Sequence, residues 1–350
     1  MSMRPVSPSR ASVSDVARKA GVSRATAARA LGDYGSVSDS TKESVRKAAA
    51  DLGYSPNSIA RSMVTGKTRT FGALVADVAN PFFAKLMRGF SDGVRKEGYN
   101  VILMNTDESV SSEVNALGVL IGKRVDGLLV APASADRYEH LQSALDHGQL
   151  IVQVDRFIPE LETDVVVVDN YEASYLAVSR VINAGHTRIA APLLRSTGAD
   201  GHFNIVSTMD DRTRGYLNAM SDAGLEVPRG YQPPGRQRSE VAQAVGGLLR
   251  RADRPTALFG ADDTFMLGII DAVRSEKLGI PEDISVFGFD DTEWTTVVTP
   301  PLSVISQPAY DLGLRSAQVL LQRLKSPYAE AQSHILPTSW VERDSIAPIA

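Results

Sequence analysis

Hydrophobic positions along this chain follow two different rhythms, and the change from one to the other divides it. In SVSDVARKAGVSRATAARAL, residues 12–31, Val13, Val16, Ala17 and Ala20 fall on one helical face, and Ala27, Ala30 and Leu31 on another beyond Gly21. Ser12 with Asp15 makes a capping box, Gly21 lets the backbone turn, and Ser23 caps a second helix carrying Arg24, Thr26 and Arg29 outward. The spacing predicts a helix-turn-helix. A third helix is expected to open at Ser40, with Glu43 completing a second capping box. It runs through Val45, Ala48, Ala49 and Leu52 and stops at Gly53, with Tyr54 folded back on it. From Phe71 the texture changes. Unbroken apolar runs such as FGALVADV, VDGLLVAP, LIVQVD, PTALFGADD and ISVFGFDD alternate with amphipathic helices. Strands without polar alternation are buried on both faces, which predicts an α/β architecture with doubly wound parallel sheets. About 280 residues of this pattern exceed one such sheet, so two lobes are expected.

Charge sharpens the division. Residues 1–70 hold 12 Lys+Arg against 5 Asp+Glu, a balance of +7, whereas the other residues hold 25 against 36, a balance of −11. A basic, all-α head on an acidic α/β body fits a nucleic-acid-binding head with a different task behind it. Residues 1–11, with two prolines, three serines and two arginines, are expected to be a disordered arm. Their opening, MSMRPVSPSR, lacks the apolar core of a secretion signal, and no apolar run reaches the roughly 20 residues of a membrane span, so a cytoplasmic location is expected.

Candidate chemistry narrows the function further. There is no cysteine, which removes disulfides, thiolate nucleophiles and Cys-ligated zinc. The five histidines (His140, His147, His186, His202, His334) show no metal-ligand spacing, and His186 is read as a helix-end cation. Neither GxGxxG nor GxxxxGK[ST] occurs, so no nucleotide cofactor, no metal and no enzyme activity are expected. Acids do gather at one kind of place, the carboxyl ends of the predicted strands: Asp77, Asp107, Asp155, Asp169, Asp262, Asp263, Asp290 and Asp291. Ligands of doubly wound folds bind beyond those ends.

Several segments together resemble the lac/galactose-repressor family of transcriptional regulators. DVARKAGVSRATAARAL is similar to the family's headpiece helices, YSPNSIARSM to its hinge, and VADVANPFF to its first effector-lobe strand and turn. GFDDTEW and TPPLSVISQP are similar to its late effector-lobe segments, with order and spacing held to the closing VERDS. The resemblance implies a helix-turn-helix headpiece at 12–56 and a hinge helix and linker at 57–70. Behind them it implies a periplasmic-binding-protein-like effector domain, with one lobe at 71–168 plus 307–334 and the other at 169–306 plus 335–345. It also implies a repressor that binds an inverted-repeat DNA operator as a homodimer and answers to a small molecule between the lobes.

Site residues follow by position. Arg24 and Ala25 stand where family members choose bases, and Arg29 matches the family's arginine. Ser23, Thr26, Ser38 and Asn57 match phosphate-contacting or capping positions, and Ala60 and Met63 belong to the hinge that meets the minor groove. Ala28 and Gly32 depart from a serine and an asparagine. In the effector cleft, Phe82 is expected to lie against the ligand, with Phe83 and Asp77 beside it. Arg212 is expected to hydrogen-bond the ligand, Asp290 to fix it from the other lobe, and Asp155 and Asp262 to add carboxylates, while Asp263 caps a helix from Thr264. Several carboxylates with one arginine suit a sugar or polyol, whose hydroxyls donate to carboxylates; a cation is tolerated and an anion disfavoured. The segment Arg195–Asp210 is longer than its family counterpart, and no heptad tail follows Val341, which favours a dimer over a tetramer. A secreted sugar-binding protein would lack the basic head; a regulator answering to a partner protein is the alternative that stays open.

Overall fold

The computed structural model describes residues 11–32, 34–54, 66–192, 196–197, 203–204, 206–233, 235 and 237–349. The chain forms two compact units, Met1–Arg69 and Thr70–Ala350.

In the first unit, α1 (Val13–Ala20), α2 (Arg24–Gly32) and α3 (Asp39–Asp51) enclose a core of Val16, Ala17, Ala27, Ala30, Val45, Ala48 and Ala49. Small side chains at these positions let three short helices approach closely, and Tyr54 closes the core from outside. The capping box at α1 forms: the Asp15 amide donates to Ser12 Oγ, and the Ser12 amide donates back to the Asp15 carboxylate at 3.0 Å. Gly21 follows in the left-handed region at φ 67°. At α3 the expectation changes. The cap is Ser38, extended and accepting from the Thr41 amide, so Ser40 lies inside the helix and does not open it with Glu43.

The second unit holds two sheets. The first has the order β12-β5-β4-β3-β1-β2, entirely parallel, from β1 (Thr70–Val75), β2 (Asn100–Asn105), β3 (Gly127–Val130), β4 (Ile151–Val154), β5 (Asp164–Val168) and β12 (Ser333–Leu336). The helices α4 (Pro81–Lys96) and α12 (Ala309–Arg323) cover one face, and α5 (Val110–Gly122) and α6 (Glu139–Asp146) the other. α4 and α12 cross backbone to backbone: a Cβ on Gly89 would strike the Tyr310 carbonyl, and one on Gly313 the Leu86 carbonyl.

The second sheet has the order β13-β11-β10-β9-β6, from β6 (Ile189–Ala190), β9 (Ala257–Gly260), β10 (Ser285–Phe289), β11 (Ser303–Ser306) and β13 (Ser339–Val341), the last antiparallel. Its helices are α7 (Asn170–Asn183), α8 (Ser207–Asp222), α9 (Arg238–Leu249), α10 (Asp263–Ser275) and the short α11 (Glu293–Val297). Two residues each of β7 (Ser196–Thr197) and β8 (Phe203–Asn204) pair as a separate antiparallel ribbon.

The chain passes from the first sheet to the second after Val168, returns after Ser306, and crosses again after Leu336. Ile335 and Leu336 pair with Val167 and Val168, so they belong with the first lobe. The expected switch at 335 moves two residues later, because a strand cannot be divided between two sheets. The crossovers leave from the carboxyl ends of β5, β11 and β12, and the last enters antiparallel β13 at its amino end, Ser339, which lies beside the carboxyl end of β11.

Candidate nucleic-acid interface and ligand cleft

On the headpiece, Arg24, Ala25 and Arg29 of α2 are exposed, together with Ser23 before it. Thr26 is half-buried. Its hydroxyl lies 2.9 Å from Ser23 Oγ, and its amide donates to that oxygen at 3.0 Å, so this pair caps the helix. Arg29 lies along its own helix, with Nε donating to the Ala25 carbonyl at 3.4 Å. Arg24 at the N-terminal end therefore carries the outward charge of the first turn. Gly32 has a physical reason: the Tyr34 ring fills the space a Cβ would need. Ser38 is spent as the α3 cap. Asn57, Ala60 and Met63 lie outside the described residues.

Between the lobes lies a cavity of about 290 Å³, near the lower end of the roughly 300–1,000 Å³ usual for small-molecule sites. Asp77, Phe83, Asp107, Glu108 and Arg156 line it from the first lobe, and Gln237 and Asp262 from the second. Phe82 is elsewhere. It joins the first-lobe core, its ring edge-on to Phe83 at 5.2 Å, because consecutive helical side chains point roughly 100° apart and only one can face the cavity. Asp155, Arg212 and Asp290 are not on the cavity wall either. They are buried, at 7%, 3% and 6% exposure, within electrostatic reach of Asp262 and Arg156.

Each is held by specific partners. Arg212 donates from Nε to Asn170 Oδ1 at 2.8 Å and from Nη1 to the Ala261 carbonyl at 2.6 Å, with its guanidinium 3.8 Å from the Phe289 ring centroid. Asp290 accepts from Gln307 Nε2 at 2.7 Å. Burial pushes the Asp290 carboxyl above the usual carboxylate range, although Arg212 opposes the shift. Burial likewise raises Asp155 to about 6 against the pull of Arg156, and Asp262 to about 6 against its hydrogen bond from the Phe265 amide. Asp107, Glu108, Asp155 and Asp290 all stand at positive φ, between 51° and 77°. Non-glycine residues held there are uncommon, aspartate being among the more tolerant, and here four of them cluster about the cleft.

Asp262 lines the cavity as expected, but the helix cap expected of Asp263 falls to it as well. Asp262, not Asp263, caps α10 by accepting from the Phe265 amide at 2.8 Å. Asp263 instead accepts from Trp294 Nε1 at 2.6 Å and from Thr292 Oγ1 at 3.2 Å. His186 is no solvent-facing cation: it is 2% exposed, bonded to Thr256 Oγ1 and the Ala347 carbonyl, and burial lowers its pKa.

The sequence pattern missed Arg156 and Glu108. Arg156 is 6% exposed and clamped by Glu108 through two hydrogen bonds of 2.6 and 2.5 Å. Its Nε lacks a hydrogen-bond partner and points toward Asp155, whose Oδ2 is 3.4 Å away. The available signal was the second charged residue after each strand, Arg156 after Asp155 and Glu108 after Asp107; only the first was taken. Of the segment Arg195–Asp210, Val206 and Met209 line the cavity. Among the described residues, no group of three or more His, Asp or Glu is placed to hold a metal, and no helix is long and apolar enough to cross a membrane.

Residues 12–57 match the family model for bacterial regulatory proteins of the lacI family, and residues 178–346 that for a periplasmic binding protein-like domain. The ribose operon repressor of Haemophilus influenzae is 32% identical over 96% of this chain and 98% of its own. The transcriptional repressor PurR of Vibrio campbellii is 33% identical over 96% and 98%. A solved complex of the transcriptional regulator CelR with cellobiose is similar at 28% identity, with a TM-score of 0.70 over 96% of this chain and 100% of that one.

Proposed function

The chain belongs to the lacI family of bacterial regulatory proteins, and from that premise we propose that it binds an inverted-repeat operator as a homodimer under the control of a neutral sugar or polyol in the inter-lobe cleft. It is a DNA-binding transcriptional regulator; operator, effector and assembly are the proposal. One α2 reads only part of a groove, so an inverted repeat calls for two headpieces related by two-fold symmetry. In this reading Arg24 and Ala25 read bases and Arg29 supports them. Ser23, Thr26 and Ser38 set the helix ends against phosphates, and Asn57, Ala60 and Met63 act in the hinge.

The observation that carries the effector reading is the set of groups the two lobes bring together. Asp155 and Asp290 are buried at strand ends with Arg156 and Arg212, and half-buried Asp262 stands around the cavity with Asp77, Asp107 and Glu108. Carboxylates accept from hydroxyls, the arginines donate to them, and Phe83 offers an apolar face. The surplus of negative charge disfavours an anion. The regulator is proposed to act in the cytoplasm, where operator and sugar meet.

Binding-site selection from a random duplex library tests the operator, with residues 71–350 as the control. An enriched inverted repeat seen only with the full chain supports the reading; a single asymmetric site or none contradicts it. Thermal melting of the full chain against ribose, cellobiose and gluconate then tests the effector. Stabilisation by a neutral sugar and none by gluconate is expected.

A further inference from the structure

Of the described residues that line the inter-lobe cavity, Arg156 is the one cation. It lies deep, at 6% exposure, with its guanidinium 5.9 Å from the Phe83 ring centroid. Glu108 meets that guanidinium end-on. Nη1 donates to Oε2 at 2.6 Å and Nη2 to Oε1 at 2.5 Å, the paired bonding by which a guanidinium holds a carboxylate. The two residues come from separate parts of the sheet: Arg156 follows β4 and Glu108 follows β2, with β3 and β1 between them. Asp107 and Glu108 are successive left-handed residues, at φ 51° and 58°, a conformation that persists only where the surroundings hold it. Asp155 does not duplicate Glu108. It faces Nε instead, 3.4 Å away and without a hydrogen bond, and burial raises its carboxyl to about 6, toward the neutral form.

We propose that Glu108 sets the charge selectivity of the effector site, by filling the end of Arg156 to which an anionic ligand group would otherwise bind. This role rests on the reading of the inter-lobe cavity as the effector site. The other acids on the wall are less able to reject an anion. Asp77 and Asp107 are exposed and Asp262 is half-buried, so solvent weakens their repulsion. A buried guanidinium, by contrast, attracts an anion strongly. With Glu108 in place that attraction is satisfied in geometry as well as in charge. A sugar hydroxyl asks for less. It accepts from the guanidinium N–H groups that Glu108 leaves, and donates to the Glu108 carboxylate. Removing the charge of Glu108 leaves Arg156 buried without its partner, the state in which a cation takes up an anion from solution.

Thermal melting of the full chain tests this, with gluconate and inorganic sulfate as probes against chloride at equal ionic strength. The proteins are wild type, Glu108→Gln, and Glu108→Gln combined with Arg156→Gln. Sulfate stabilises folded proteins in general by exclusion from their surface, and the basic headpiece is the same in all three, so the difference between proteins is the readout. Glu108→Gln should show an extra, saturable rise in melting temperature with both anions, its apparent affinity for sulfate exceeding that of wild type roughly ten-fold or more. The double variant should lose that rise. Should Glu108→Gln not fold in chloride, sulfate should restore its circular dichroism and should not restore that of the double variant. Where the two anions differ, sulfate decides, since it needs no sugar-shaped site. Equal sulfate responses of Glu108→Gln and wild type overturn the proposal. So does a gain that survives in the double variant, which would place the anion elsewhere. A wild type that answers to no sugar, beside a Glu108→Gln that gains sulfate, would refute the sugar reading and uphold the role of Glu108.

Discussion

Single residues in this protein do different work from what their type suggests, and burial decides which. Asp155 is a carboxylate at a strand end, as several others are, yet it is buried, and desolvation outweighs the pull of Arg156, 3.4 Å away, so its pKa is raised to about 6. Folding therefore penalises its ionised form. The penalty is full above about pH 6, shrinks as pH falls, and vanishes near the unfolded value of about 4. Asp155→Asn should raise the unliganded melting temperature at about pH 7.5, by the equivalent of roughly 1–3 kcal/mol, and lose that advantage toward about pH 4. Melting curves of both proteins across that range check it, and the variant should also lose the response to any stabilising sugar. Arg24 stands at the other extreme, exposed and without structural duty. Arg24→Ala should relax base preference at one symmetric pair of operator positions, at about 1–3 kcal/mol per lost bidentate contact, in repeat site selection. Uniform weakening on all sequences would make it a phosphate contact.

Elements depend on how closely neighbours approach, and glycine shows it twice. In α12, Gly313 faces the α4 backbone so closely that a Cβ would meet the Leu86 carbonyl and the Phe90 amide. In α5, Gly118 faces open space. Gly313→Ala should destabilise by at least the roughly 1–3 kcal/mol of an overpacked core, because backbone cannot rotate out of the way as a side chain can. Gly118→Ala should stabilise by about 0.5–1 kcal/mol, as an ordinary helix substitution does. Urea denaturation of the two variants separates these signs. The sequence presents both as glycine within a helix; only the packing partner tells them apart. Caps were easier to place. Ser12–Asp15 was legible because a capping box is local, whereas Ser40–Glu43 had the same spelling and lost to Ser38, whose extended backbone places its hydroxyl on the Thr41 amide.

For the whole molecule the proposed regulation is a linkage between two sites, and linkage is reciprocal. Whatever factor a sugar imposes on operator affinity, operator DNA must impose on sugar affinity. Paired titrations of full-length protein, sugar with and without operator and operator with and without sugar, should return the same factor, different from one; a factor of one in both would mean that the two sites are not coupled. The headpiece, the alternation of strands and helices, and the acids at strand ends are determined by the sequence itself, because helical periodicity, capping and unbroken apolar strands act over a few residues. The cleft is a matter of tertiary structure. Arg156 and Glu108 lie 48 positions apart, and Arg212 and Asn170 lie 42 apart. No local pattern pairs them; sheet order does. That Ile335 and Leu336 stay with the first lobe was likewise decided by where the chain crosses between lobes. Desolvation and charge pairing depend on distance in space, and distance in space is set by the fold.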